Sequence, residues 1–190
     1  MPTTHCRFQP ALSGLACLGI LAVVVACGGS SEESGGGDPG LPEYATTAAT
    51  GKINTKDWAF YGGRVMNSST DASRQEFTLV SNVTAKPCDD FVLVGTDKRA
   101  IIWYQNNITT GETLLSQDPT KSMSVTLYDS SQGIPKNYIA FEGKISLDEV
   151  STASVKGKIY ASYDDTTYVN GTFTLARCCH IGNLMYEVCK

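Results

Sequence analysis

Alternation of apolar and polar side chains with a period of two runs from residue 120 almost to the C-terminus, and it constrains the fold more than any other feature. In 121–129, KSMSVTLYD, Met123, Val125 and Leu127 share one face, while Ser122, Ser124, Thr126 and Tyr128 share the other. In 137–150, Ile139, Phe141, Ile145 and Leu147 are expected inside, with Tyr138, Glu142, Lys144 and Asp148 outside. Residues 153–165 place Val155, Ile159, Ala161 and Tyr163 inward and Lys156, Lys158, Tyr160 and Asp164 outward. VNGTFTLAR repeats the pattern with Val169, Phe173 and Leu175. Such alternation marks antiparallel strands with one buried face.

Earlier segments add strands of less regular pattern. GKIN and WAFYGGRVMN suggest a hairpin over Asn54-Thr55-Lys56-Asp57, with a bulge or sharp bend at Gly62-Gly63. QEFTLVSNV, FVLVGT and RAIIWYQN read as further strands, the apolar run Ala100 to Tyr104 being buried on both faces. Clusters of Ser, Thr, Asn, Asp and Gly at 67–73, 105–111, 129–133 and 164–167 mark turns. No amphipathic helix is expected beyond one turn between Asp71 and Phe77. The fold class is therefore all-β: about 8–10 strands in a single antiparallel sandwich or small barrel over 51–190. From residue 120 onward consecutive strands are expected to pair as a meander.

The first 26 residues are of another kind. They contain one base, Arg7, and no acid, and Ala11 to Ala26 form an apolar run of sixteen residues. That length suits the core of a secretory signal better than a spanning helix, which needs about 20 residues. The run ends in Val24-Val25-Ala26-Cys27, which resembles the lipobox of bacterial lipoprotein precursors. The resemblance implies that Cys27 receives a diacylglycerol, that cleavage occurs before it, and that the new amine takes a further acyl chain such as palmitate. Two or more chains make a stable membrane anchor, at about 0.8 kcal/mol per buried methylene. It further implies a cell-envelope location, with Gly28 pointing to the outer membrane of a Gram-negative bacterium.

Residues 27–50 then read as the lipidated cysteine and a flexible linker. They are rich in Gly, Ser, Thr and Ala and nearly free of large apolar side chains, so they cannot offset their ordering entropy by burial. A coil of that composition reaches about 25 Å.

Without the leader the chain keeps 14 basic and 19 acidic residues, a net of −5, with no basic cluster. Nucleic acid is accordingly not an expected partner. Four cysteines remain beyond Cys27: Cys88, Cys178, Cys179 and Cys189. In an exported domain these read as two disulfides. A bridge between the adjacent Cys178 and Cys179 would be strained. The choice lies between Cys88–Cys178 with Cys179–Cys189, which is preferred, and the crossed pairing. Either links Cys88 to one of the pair over a loop of about 90 residues, worth about 4 to 5 kcal/mol in the chain-entropy model. The rival reading is a metal site of these cysteines with His180, but the spacing fits no zinc motif and the compartment is oxidising. No metal or cofactor is expected.

GKINTKDWAFYGGRV, the Pro87-Cys88 loop and the segment from Gly143 to Cys178 are similar to a group of uncharacterised β-rich bacterial lipoproteins. Their domain opens G-x-I-N-G-K-x-W and closes with a V-x-G-x-F hairpin. Thr55 stands where that pattern has the turn glycine. The group implies the fold and lends no activity.

Catalytic constellations are not apparent. His180 is the one histidine of the mature chain, and no nucleophile elbow, zincin helix motif, phosphate loop or EF-hand pattern accompanies it. The acid pairs Asp89-Asp90 and Asp164-Asp165 lie in turn sequences, where solvated charge and Asx turns explain them. Aromatics offer the better hint: Trp103, Tyr104, Tyr128, Tyr138 and Tyr160 are candidate ligand-facing residues, able to stack on sugars or form a partner patch. The expected function is that of a lipid-anchored envelope protein with a binding or structural β domain. Its partners would be the membrane, through the lipid on Cys27, and a glycan or envelope protein. The alternatives are an envelope hydrolase using a carboxylate pair, and a small barrel carrying an apolar ligand.

Overall fold

The computed structural model describes residues 40–68, 73–82, 87–88, 98–115, 123–181 and 185–190, without the side chains of 180, 181, 185 and 186. The leader, Cys27 and the linker to residue 39 lie outside these, as do Asp89-Asp90 and the expected strand FVLVGT.

Among the described residues twelve strands form one sheet: β1 (Thr50–Ile53), β2 (Lys56–Ala59), β3 (Gly62–Asn67), β4 (Arg74–Val80), β5 (Arg99–Asn106), β6 (Gly111–Leu114), β7 (Val125–Asp129), β8 (Lys136–Ile139), β9 (Glu142–Val150), β10 (Ser154–Asp164), β11 (Thr167–Ile181) and β12 (Met185–Val188). The all-β expectation holds, with more strands than the 8–10 anticipated, all paired antiparallel except β3 with β11. The segment expected to form a helical turn is instead largely β4, because Phe77 and Leu79 alternate with Glu76 and Thr78 across a pleated strand.

The sheet runs β6-β9-β10-β11-β3-β4-β5-β7-β8, with β1 and β12 joined to β11, and β2 to β1. It curls into an open half-barrel, and the reason lies in one bent stretch. β8 pairs with β7, and β9 pairs with β10. Only Ala140 and Phe141 separate β8 from β9. There the Ala140 amide donates to Val125 O at 2.9 Å and the Phe141 amide donates to Ser162 O at 2.8 Å. A single length of chain thus crosses from one end of the sheet order to the other, as corner strands do in orthogonal packings. The expected meander is interrupted here, since β8 and β9 continue one another instead of pairing.

The corner also corrects the inside–outside assignment. Ile139 and Phe141 are 51% and 56% exposed, whereas Ile145 and Leu147 are 1% and 2% exposed. All four occupy odd positions, so a straight strand would bury them together. The bend at Ala140–Gly143 re-aims the faces, burying Ala140 and turning Phe141 outward. Gly143 has φ +152°, and a Cβ there would collide with Tyr160 O, so only glycine fits the corner.

The inner face is filled by side chains. Trp103 stacks on Phe77 at 4.6 Å between centroids and meets Phe173 edge-on at 5.6 Å, linking β4 and β5 to β11. Ile53, Leu79, Ile101, Leu127, Ile159 and Leu175 are fully buried around them. Each such side chain contributes about 1.5–3 kcal/mol of burial. The interior that an apolar-ligand carrier would leave open is occupied by this core.

Two disulfides close the structure. Cys88–Cys178 and Cys179–Cys189 span 90 and 10 residues of sequence, the preferred of the two pairings. The first is buried, and the second clamps β12 against β11 at the surface. With all four sulfurs paired, they are not free to act as thiolate metal ligands.

The segment before β1 differs from the linker expectation. Across 43–49 the chain lies along β11. The Ala45 amide donates to Asn170 Oδ1 at 2.8 Å, Asn170 Nδ2 donates to Glu43 O at 3.0 Å, and the Ala49 amide donates to Thr172 O at 2.9 Å. Ala49 is wholly buried. Tyr44 lies over Lys144, whose Nζ is 4.7 Å from the ring centroid, and its hydroxyl donates to Glu112 Oε2 at 3.1 Å. Lys144, expected at the surface, is therefore only 3% exposed.

The β1–β2 hairpin turns on Asn54 and Thr55, both left-handed at φ +53° and +68°, as a two-residue type I′ turn requires. Asn54 tolerates this conformation, but a β-branched residue there is strained. The turn is docked: the Thr55 amide donates to Thr166 O at 3.0 Å, and Asn54 Nδ2 donates to Asp129 Oδ2 at 2.8 Å. Gly63, expected at a bulge, lies in regular pairing with Leu79. A Cβ at Gly63 would collide with Thr78 O.

Candidate functional site: a polar groove at the sheet rim

β4 and β5 pair so that Arg74 faces Asn106 and Glu76 faces Tyr104. After Asn106 the chain turns through Asn107, at φ +53°, and re-enters the sheet at Gly111, at φ +130°, to start β6. The turn leaves an open groove of about 740 Å³ along the rim, lined by Arg74, Tyr104, Asn106, Asn107, Thr109 and Thr113, with Gln105 and Met123 at its inner side. That volume lies in the range of small-molecule sites.

Tyr104 is 38% exposed and fixed in place. Its hydroxyl donates to Glu76 Oε2 at 3.0 Å, and the Arg74 guanidinium lies 4.9 Å from its ring centroid. Thr78 Oγ1 donates to the other Glu76 oxygen at 3.2 Å. Burial, followed by the negative charge of Glu76 and the hydrogen bond to it, raises the phenol pKa against the opposing pull of Arg74. Tyr104 therefore stays a neutral donor throughout the ordinary pH range. The groove offers amides, hydroxyls, a held ring and one cation. These groups can donate and accept hydrogen bonds to a bound molecule.

The five aromatics singled out from the sequence do not converge. Tyr104 lines the groove. Trp103, its neighbour, faces the opposite side of β5 and is a core residue with no exposure, as strand alternation dictates. Tyr160 is 9% exposed, with its hydroxyl donating to Glu142 Oε1 at 3.0 Å. It is therefore a packed residue on the outer side of β10. Tyr128 is half-buried, paired with Ala100 and Asn137 away from the groove.

Tyr138 belongs to a separate cluster at the β8–β9 corner. Its ring meets Tyr163 edge-on at 5.4 Å, and Phe141 stacks on Tyr163 at 4.9 Å. Tyr163, expected inside, is half-buried in this cluster because its partner Phe141 has turned outward.

Asp164 and Asp129 behave as turn groups. Asp164 accepts from the Thr166 amide and hydroxyl, each at 2.8 Å. These bonds, the Thr166 hydroxyl foremost, lower its pKa. Asp129 is 3% exposed and accepts from the Ser131 amide at 2.8 Å and the Ser131 hydroxyl at 2.6 Å, as well as from Asn54. Burial pushes its pKa up, but the hydrogen bonds from Ser131 and Asn54 and the charge of Arg99 outweigh burial and lower it. The His180 side chain lies outside the described residues.

Sequence reasoning missed Arg74, Gln105, Thr109, Thr113 and Met123 as groove residues. Asn106-Asn107, within the 105–111 turn cluster, carries the usable signal, since paired asparagines after an aromatic strand mark a turn at which side chains converge. No protein-family model matches the chain, and no similar curated protein or solved structure was found.

Proposed function

We propose that this chain is a lipid-anchored binding protein of the bacterial cell envelope, held by acyl chains on Cys27 and engaging its partner through the β5–β6 rim groove. The supporting observation is that groove, where a locked tyrosine, two asparagines and two threonines, with Gln105 behind them, line the rim of a core-filled, disulfide-stapled body. The lipobox-like segment and the paired cysteines fit export, and the net negative charge without a basic cluster disfavours a nucleic-acid partner. The outer membrane of a Gram-negative cell is the expected location, and an envelope glycan or protein the expected partner class.

Two measurements test this. Intact mass of the membrane-extracted protein is expected to show a chain beginning at Cys27 with acyl mass attached, and Cys27→Ser is expected to abolish membrane partitioning. Immobilised mature protein is expected to retain a component of the envelope polysaccharide or protein fraction, with retention lost in Tyr104→Ala/Asn106→Ala. Retention that survives the double substitution refutes the groove, and an unacylated processed chain refutes the anchor.

A further inference from the structure

We infer that the groove's ligand is a carbohydrate that inserts one hydroxyl group into the mouth of the half-barrel, donating to Gln105 and accepting from Trp103. The inference rests on the reading of the groove as the binding site and adds the ligand class. Trp103 Nε1 and Gln105 Oε1 are both buried without a hydrogen-bond partner. Buried polar atoms in native folds are nearly always paired, so two orphans on one strand require a cause. They share a face of β5, two residues or about 7 Å apart along the strand. The indole nitrogen can only donate, and the amide oxygen can only accept. One group that satisfies both must accept and donate at once, which a hydroxyl does.

Gln105 lines the groove, and Trp103, the next residue on the same face of β5, pairs with Val125, two residues from the groove residue Met123. The other groove side chains match the same chemistry. Asn106 and Asn107 present donors and acceptors together, and Thr109 and Thr113 present hydroxyls, as a polyol with many equivalent groups demands. Tyr104 supplies a ring edge of low rotamer freedom for C–H surface. Arg74, the one formal charge of the lining, is already engaged over that ring, so a polyanion is not the favoured occupant. A peptide would need its carbonyl and amide groups to reach one orphan each, and it serves as a comparison in the test.

The test is calorimetric titration of the mature, oxidised protein with maltotriose, chitotriose and xylotriose, and with triglycine as the peptide comparison. Binding of at least one trisaccharide is expected. Trp103→Phe and Gln105→Met are each expected to weaken it about tenfold, the scale of one lost hydrogen bond with its partner left unpaired. Monodeoxy analogues of the bound sugar separate this loss from core repacking. One deoxy position is expected to weaken wild-type binding about tenfold and to leave Trp103→Phe unchanged, so the two losses do not add. Trisaccharide binding that both variants and every deoxy analogue leave intact assigns the two atoms to a trapped water and overturns the hydroxyl subsite, while the groove stands. Binding of triglycine alone overturns the ligand class, and binding of no probe rejects the inference, while the groove reading is decided separately by the retention of envelope components in Tyr104→Ala/Asn106→Ala.

Discussion

Replacing Cys88 and Cys178 by alanine is expected to destabilise the domain far more than replacing Cys179 and Cys189. The two bridges close loops of 90 and 10 residues. In the chain-entropy model those loops correspond to about 4.6 and about 2.7 kcal/mol at 25 °C. For a domain of about 150 residues, 1 kcal/mol moves Tm by about 3 °C, giving expected losses of about 14 °C and about 8 °C. Location sharpens the difference. Cys88 and Cys178 are 4% and 5% exposed, so their truncation also leaves unfilled volume in the core. Cys179 is exposed and its partner half-buried, so little packing is lost there beyond the hold on β12. Thermal unfolding followed by far-ultraviolet circular dichroism, without reductant and at matched concentration, measures both. Equal losses, or a greater loss for the short loop, would refute the argument that loop length and burial set the contribution.

Thr55→Gly is expected to raise stability by about 1 kcal/mol in denaturant unfolding, because it relieves a β-branched residue at φ +68° while adding some freedom to the unfolded chain. Asp129→Asn is expected to flatten the acid limb of stability. The native carboxyl pKa is lowered, so its contribution is complete above the ordinary carboxylate value of about 3.9 and is lost as pH falls through the native one. Urea midpoints between pH 7 and pH 3 test this, and the variant is expected to be the less stable at pH 7. Tyr44→Ala is expected to uncover Lys144 and loosen the 43–49 strap, moving the first site of limited proteolysis to between residues 45 and 50 while Tm falls by only a few degrees.

How much of this was legible in the sequence depends on which interactions are local. Strand identity was, because Val155, Ile159, Phe173 and Leu175 alternate with polar residues on strands that stay within one sheet. The same rule misplaced Ile139 and Phe141, since period-two reading assumes a continuous face and the corner at Ala140–Gly143 changes which face is inside. The strap at 43–49 escaped for another reason. Composition measures what a segment can bury, whereas this one is held mainly by backbone bonds to Asn170 and Thr172. Those partners lie about 125 residues away, and nothing in TTAAT announces them.

The groove shows both limits together. Tyr104 was visible as an aromatic beside two asparagines, but its ring is positioned by Arg74 and Glu76 on β4, and its setting is completed by Thr113 on β6 and by Met123. Trp103 was grouped with Tyr104 as ligand-facing, yet one step along a strand reverses the side chain. The reversal makes Trp103 a core residue with an unanswered N–H instead of a surface platform. Within a filled core, Trp103 Nε1 and Gln105 Oε1 are buried without partners, and Gln105 lines the groove at the rim. On that ground the rim, more than the exposed aromatic corner, is where recognition by this domain is expected.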